Sequence, residues 1–279
     1  MKYKVKKIKV NSVNEFYSAL KKGHTLPDID APVEVKNELF SFISKKKDSS
    51  LKFYTMGECY FCGYGVDKDY NASIFWYRRS ALEGNAIAQF ALGFLYSVGV
   101  GTEKDEQKAF EWTEMSAKQG YPGGLNNLGY FYANGIGVKT NQKQALKYYI
   151  KSAKIGHSRG QANLGKCYEY GQEVKQDYSK ALYWYKKSAA QDDSKGLLNL
   201  GRLYDLGQGV EQDSKEAFNL YLKSANIGNI DAQYNVGCCY EQGKGVEQDI
   251  EQAISWYKKA AEQGSKESQE RLKELNKSK

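Results

Sequence analysis

Two histidines, His24 and His157, stand in 279 residues. A histidine acting as general base needs a nucleophile or second titratable group within hydrogen-bond reach. The pattern puts His24 in a loop and His157 at a helix start, and places no Ser or Cys nucleophile beside either. Cys59-Tyr60-Phe61-Cys62 is a C-x-x-C. A zinc reading needs a second ligand pair and a redox reading needs a strand-helix-strand context. The sequence offers neither. Gly-x-Gly-Val turns such as Gly135 to Val138 imitate phosphate-cradling loops, but no strand precedes them. They read as helix stops. No catalytic, cofactor-binding or metal-ligating residue is therefore expected, and the chain is not expected to be an enzyme.

Twenty-three Tyr is the oddest count in the composition. Tyr buries a ring and keeps a wet tip, which suits thin, two-layer packing. The net charge of +8 is uneven. Residues 1–50 carry 11 Lys against 6 Asp or Glu, and the remaining 229 carry 30 basic and 27 acidic groups. A nucleic-acid binder should show a basic face through its body, so no nucleic acid is expected. No run reaches the ~18 apolar residues of a membrane span. The basic start lacks the apolar stretch of a secretory signal. With five Cys, an odd number, this favours a reducing cytoplasm.

Self-comparison is decisive. Gly57, Gly93, Gly129, Gly165, Gly201 and Gly237 lie 36 residues apart without insertion. Columns of Tyr (Tyr60 to Tyr240), Gly (Gly63 to Gly243), Asp or Asn (Asp69 to Asp249) and Ala (Ala81 to Ala261) keep the same phase. In the unit from Tyr121 to Gly156, Leu125, Leu128 and Tyr132 give the first helix one apolar face. Gly129 lies inside that helix at a cost of about 1 kcal/mol relative to Ala. A cost repeated in every unit implies a bulky partner against bare backbone. The tryptophans Trp76, Trp112, Trp184 and Trp256 are the expected rings. Gly135 suits a left-handed stop, and Asn141 caps a second helix buried through Ala145, Leu146, Tyr149 and Ala153. Cys59, Cys167 and Cys239 share a column with Leu95, Phe131 and Leu203, so they read as core; Cys62 and Cys238 read as surface thiols.

The pattern resembles the Sel-1-like repeat family, related to tetratricopeptide repeats. Its motif stands in Asn163-Leu164-Gly165-Lys166-Cys167-Tyr168 and in Trp256-Tyr257-Lys258-Lys259-Ala260-Ala261-Glu262-Gln263-Gly264. The resemblance implies an all-α fold, a right-handed α-solenoid of helix-turn-helix repeats. The expected organisation is a basic arm and helical cap over 1–48, six repeats over 49–264, and a C-terminal capping helix and tail over 265–279. Within 1–48, helices are expected at 13–22 and 33–47. Residues 1–10 read equally as a short strand or a mobile arm. Glu173 for a loop Gly, Asp192 for the terminal Gly, Thr113 for a Tyr and Leu220 for a Trp depart from the motif and are expected to loosen it locally. A secreted branch of the family has paired Cys in each repeat and a link to penicillin binding; that pairing is absent here.

In such solenoids the first helices line the concave groove. Two residues before the helix glycine stand Asn127, Asn163, Asn199 and Asn235. The ladder looks like that of the O-linked N-acetylglucosamine transferase superhelix. An amide can pair with an extended main chain. The same ladder could equally fix repeat spacing by bonding neighbouring helices. Tyr54, Phe90, Phe94 and Tyr130 give the N-terminal half of the groove aromatic character, and Lys166 and Arg202 follow. Exposed aromatics suit a hot spot, or else pack beneath the cap. Lys166 and Arg202 could also pair with Glu169 and Asp205 one turn on. The expected function is a cytoplasmic scaffold or adaptor, a monomer that holds a partner protein or extended peptide in the groove. The alternative is an immunity or inhibitor protein that neutralises a cognate toxin or enzyme, as some bacterial family members resemble. Hydrolase or penicillin-binding activity is the remote third.

Overall fold

The helix glycine and a ring from the following helix make the contact on which each repeat is built. In a computed structural model describing residues 8–22 and 29–277, a β-carbon added at Gly165 would stand 2.7 Å from Cδ1 of Tyr185. Tyr77, Tyr149, Tyr221 and Tyr257 cover Gly57, Gly129, Gly201 and Gly237 in the same way, and Thr113 takes the place at Gly93. The tryptophans expected in this role are one residue off. One residue on a helix is about 100° of rotation, which turns them off the glycine. Trp76 instead stacks on Phe53, ring centroids 5.7 Å apart.

The fold is all-α, of the α-solenoid class, with six 36-residue repeats. The chain divides into two compact units, residues 4–155 and 156–279. The N-terminal unit starts with β1 (Ile8–Lys9) and α1 (Val13–Lys21). Then come β2 (Ile29–Asp30), pairing in parallel with β1, and α2 (Val33–Ser44). Residues 8–9 are thus a strand; residues 1–7 lie outside the described residues, as do Gly23 and His24. Ser12 caps α1 by accepting from the Glu15 amide, and the Glu15 carboxylate accepts from the Asn11 amide, 2.8 Å. Three helix pairs follow: α3 (Ser50–Cys62) with α4 (Tyr70–Leu82), α5 (Ala86–Val98) with α6 (Glu106–Lys118), and α7 (Pro122–Asn134) with α8 (Gln142–Lys154).

The C-terminal unit repeats the scheme. It pairs α9 (Ser158–Tyr170) with α10 (Tyr178–Ala189), α11 (Ser194–Leu206) with α12 (Ser214–Asn226), and α13 (Ile230–Gln242) with α14 (Ile250–Glu262). The last helix, α15 (Lys266–Lys277), packs on α14.

Local chemistry explains each boundary. Gly135 ends α7 in the left-handed region at φ 73°, and its amide donates to the Phe131 carbonyl. Asn141 then caps α8 by accepting from the Gln144 amide, while its own amide donates to the Tyr132 carbonyl. One residue therefore closes the loop and opens the helix. A serine column adds a second tie inside each pair. Ser80, Ser116, Ser152 and Ser224 each donate to a carbonyl in the first turn of the preceding helix, at 2.6–2.9 Å. The hydroxyl of Ser188 has no partner among the described residues.

Glu173 and Asp192 do not break the geometry. They hold φ of 56° and 55°, where their columns otherwise carry glycine. The cost is backbone strain rather than a loosened turn, since L-residues in this region lose roughly 1–2 kcal/mol.

Two outcomes follow from this geometry. Gly165→Ala should lose about 1–3 kcal/mol in urea unfolding, because overpacking against Tyr185 outweighs the gain in helix propensity. Glu173→Gly should raise stability by about 1 kcal/mol in the same measurement, by relief of the left-handed strain.

Candidate functional site

Both units present first-helix side chains, and the residues singled out in the sequence separate between them. Tyr54, Phe90, Phe94, Asn127 and Tyr130 belong to the N-terminal unit; Asn163, Lys166, Asn199, Arg202 and Asn235 belong to the C-terminal unit.

In the N-terminal unit, Phe94 and Tyr130 are 46% and 47% exposed. Phe90 is half-buried, its ring 5.4 Å from that of Tyr121. Tyr54 departs from the expected exposure. It is 3% exposed, with its ring against Tyr77. The cause is the helix pairing: Tyr54 sits over the ring that locks Gly57, so it belongs to the core.

Phe90 and Phe94 open into a pocket of about 520 Å³. Its walls are Phe61 and Cys62 of α3 and Phe90, Ala91, Phe94 and Leu95 of α5, with Phe16, Ile29 and Lys36 contributed by the cap. Glu58 and Tyr77 form its polar end. The Tyr77 hydroxyl donates to Glu58 Oε1 at 2.7 Å, and Tyr54 bonds the same carboxyl group. Burial pushes the Glu58 carboxyl above its ordinary value, against the lowering effect of the two phenols. The sequence had shown Glu58 only as one member of a variable column. The cap wall was not legible, because nothing in residues 13–47 says which face meets α3.

The C-terminal unit is organised around ion pairs. Arg202 pairs with Glu169 at 2.5 Å, not with Asp205 of its own helix. Asp205 takes Lys244 at 2.7 Å. Glu169 also accepts from Tyr185 at 2.6 Å. Arg202 is thus committed to joining α9 and α11, which corrects its reading as a partner of the acid one turn on. Lys166 is exposed. Arg271 of α15 forks onto Glu241, which also accepts from Tyr257 at 2.7 Å. This guanidinium holds the Glu241 carboxyl below its ordinary value.

The four asparagines of the ladder are half-buried. Asn127 accepts from the side chain of Asn126 at 3.3 Å. The amides of Asn199 and Asn235 have no hydrogen-bond partner among the described residues. The serine column and glutamine pairs such as Gln191 to Gln161, 2.8 Å, tie the two helices of each pair.

Cys59, Cys167 and Cys239 are buried, as their column implied, while Cys62 and Cys238 are half-buried. Burial pushes the Cys167 thiol up to about 11 and the Cys239 thiol up to about 12. His157 caps α9 by accepting from the Gly160 amide at 3.2 Å. Burial, with help from Arg159, lowers its pKa.

The Sel1 repeat model matches six consecutive stretches, 54–85, 86–121, 122–157, 158–193, 194–229 and 230–265. The chain belongs to the Sel1 repeat family. Among solved structures it is similar to a Sel1 repeat protein from Oxalobacter formigenes. That match has 28% identity and a TM-score of 0.74, over 89% of this chain and 96% of that one. It is also similar to c5321, a protective antigen of uropathogenic Escherichia coli, at 30% identity and a TM-score of 0.59. Here the match covers 94% of this chain and spans 63% of that protein's length. Immunity protein Pa5087 of Pseudomonas aeruginosa shares the fold at 19% identity and a TM-score of 0.54, over 87% of this chain and 85% of that one. Comparison with curated proteins finds no match. The Sel1 repeat is a protein-interaction fold.

The two carboxylates give opposite expectations. A folded-state pKa raised by burial means that ionising Glu58 costs stability, and that this cost fades as pH falls from the raised value to the ordinary one. Glu58→Gln should therefore raise Tm at pH 7 and lose that advantage near pH 4. The Glu241 contribution is present above the ordinary carboxylate range and is lost as pH falls through its lowered value. Glu241→Gln should cost about 1 kcal/mol at pH 7, a few degrees in Tm, and converge on wild type in acid. Thermal melts across pH 3–8 read both.

Proposed function

We propose that this chain is a non-catalytic binding scaffold that receives a segment of a partner protein in the cleft between the cap and helices α3 and α5. The observation that carries the reading is the apolar pocket itself. Phe94 stays 46% exposed at its mouth although buried core lies directly behind it. Exposed aromatic rings beside a concavity suit the energetic centre of a protein interface. His157 is spent as a helix cap, which supports binding over catalysis. A monomeric adaptor in the cytoplasm is the setting we propose, with the odd number of cysteines as its support.

The asparagines of the C-terminal unit are a separate candidate contact. Asn199 and Asn235 keep their amide donors and acceptors unused among the described residues, as pairing with a partner main chain requires. An inhibitory role toward a toxin is less well supported. The Pseudomonas immunity protein is similar at 19% identity, which speaks for a common fold and transfers no partner.

Affinity capture from native lysate tests the reading. Phe90→Ala with Phe94→Ala should reduce recovery of the bound protein by tenfold or more, since interface aromatics are worth about 2 kcal/mol each. Asn163→Ala with Asn199→Ala should weaken it further at unchanged helical content by circular dichroism. Equal recovery by wild type and the phenylalanine double variant would remove the cleft from the account.

A further inference from the structure

Tyrosine–glutamate pairs recur in this chain, and one of them lacks an arginine among the described residues. Tyr185 donates to Glu169, and Tyr257 donates to Glu241. In both, an arginine of the next first helix completes the carboxylate: Arg202 of α11 for Glu169 and Arg271 of α15 for Glu241. The chain has five arginines in all, and two do this work although lysines are far more numerous. The preference is physical. A guanidinium is planar, offers forked donors to a carboxylate, and lies flat against aromatic rings.

Tyr77 and Glu58 form a third pair, at 2.7 Å, with Glu58 one turn earlier in its repeat than Glu169 and Glu241 are in theirs. Among the described residues no Lys, Arg or His pairs with Glu58. In the 36-residue register Phe94 of α5 stands where α11 has Arg202, and where α15 has Arg271 stands Ala91. Its short side chain lies in the wall of the 520 Å³ pocket, flanked by Phe90 and Phe94. Lys36 also lines the pocket, but its ammonium lies over the Tyr64 ring, 5.8 Å from the centroid. A carboxylate with phenol donors on one side and an aromatic-walled cavity on the other matches a cation from outside the unit.

We propose that the cleft of the N-terminal unit binds the guanidinium of an arginine side chain presented by a partner protein, with Glu58 as counter-ion and Phe90 and Phe94 against its plane and stem. The inference rests on the scaffold reading above and names the chemistry of its partner. The pair Glu241–Arg271 shows the electrostatic consequence: with its guanidinium Glu241 sits below the ordinary carboxylate range, whereas Glu58 sits above it.

A displayed library of random peptides, selected on the full-length protein, tests it. Arginine should be enriched at one fixed position. An arginine peptide so selected should bind roughly tenfold tighter than its citrulline counterpart, the value of a charged over a neutral hydrogen bond. Glu58→Gln should abolish that difference, with folding verified by circular dichroism and thermal melting. Peptides that need Phe94 but show no arginine enrichment overturn the inference and leave the scaffold reading standing. Selection that is indifferent to Phe90→Ala and Phe94→Ala overturns both. Arginine preference that survives Glu58→Gln removes Glu58 as the counter-ion. If Lys2, Lys4, Lys6 and Lys7 changed together to Ala raise affinity for the arginine peptide more than tenfold, the chain's own basic segment is the occupant and the proposal falls.

Discussion

An aromatic ring pressed on bare backbone is the contact that makes each repeat. Gly165 and its counterparts give up helix propensity, and in return Tyr185 and its counterparts reach the axis of the neighbouring helix. The approach sets the spacing of the two helices. That spacing lets a serine hydroxyl reach a carbonyl in the partner's first turn, as Ser80 reaches Ser50 at 2.6 Å. It also brings the tyrosine hydroxyl out at the first-helix face, where Glu58, Glu169 and Glu241 meet it. Structure and candidate site therefore share one residue. The ring locks the fold, and its oxygen orients the carboxylate.

The repeat could be read from sequence because its rules are local. Helical period, left-handed glycine and aspartate cap each act within a few residues of the chain. The identity of the locking ring was not local in this sense. Trp184 and Tyr185 are adjacent, both large and both aromatic, and a rotation of about 100° decides which meets Gly165. Composition favoured the larger ring, and geometry chose the neighbour. The same limit hid the partner of Arg202. An acid one turn away on the same helix was visible in the sequence, while Glu169 lies on another helix.

The candidate site was half legible. Phe90 and Phe94 stood out as aromatic members of variable columns, and both line the pocket. The other half comes from packing of the cap. Phe16, Ile29 and Lys36 are brought to α3 by helices whose apolar faces are plain in sequence but whose docking direction is not. Tyr54 shows the converse error. It shares its column with the half-buried Phe90, yet it is buried, because its neighbours on α4 differ.

The serine column and the ring lock have the same span: each begins and ends inside one helix pair. Ser116 reaches back to Ala86, and Gly129 meets Tyr149, without recruiting a residue of another pair. A residue inserted into α8 ahead of Tyr149 would turn the ring about 100° away from its seat. Removal or duplication of all 36 residues leaves every such closure intact. The natural increment of change in this chain is therefore a whole repeat, and a gene encoding it can lengthen or shorten the protein in steps that preserve the packing of each pair.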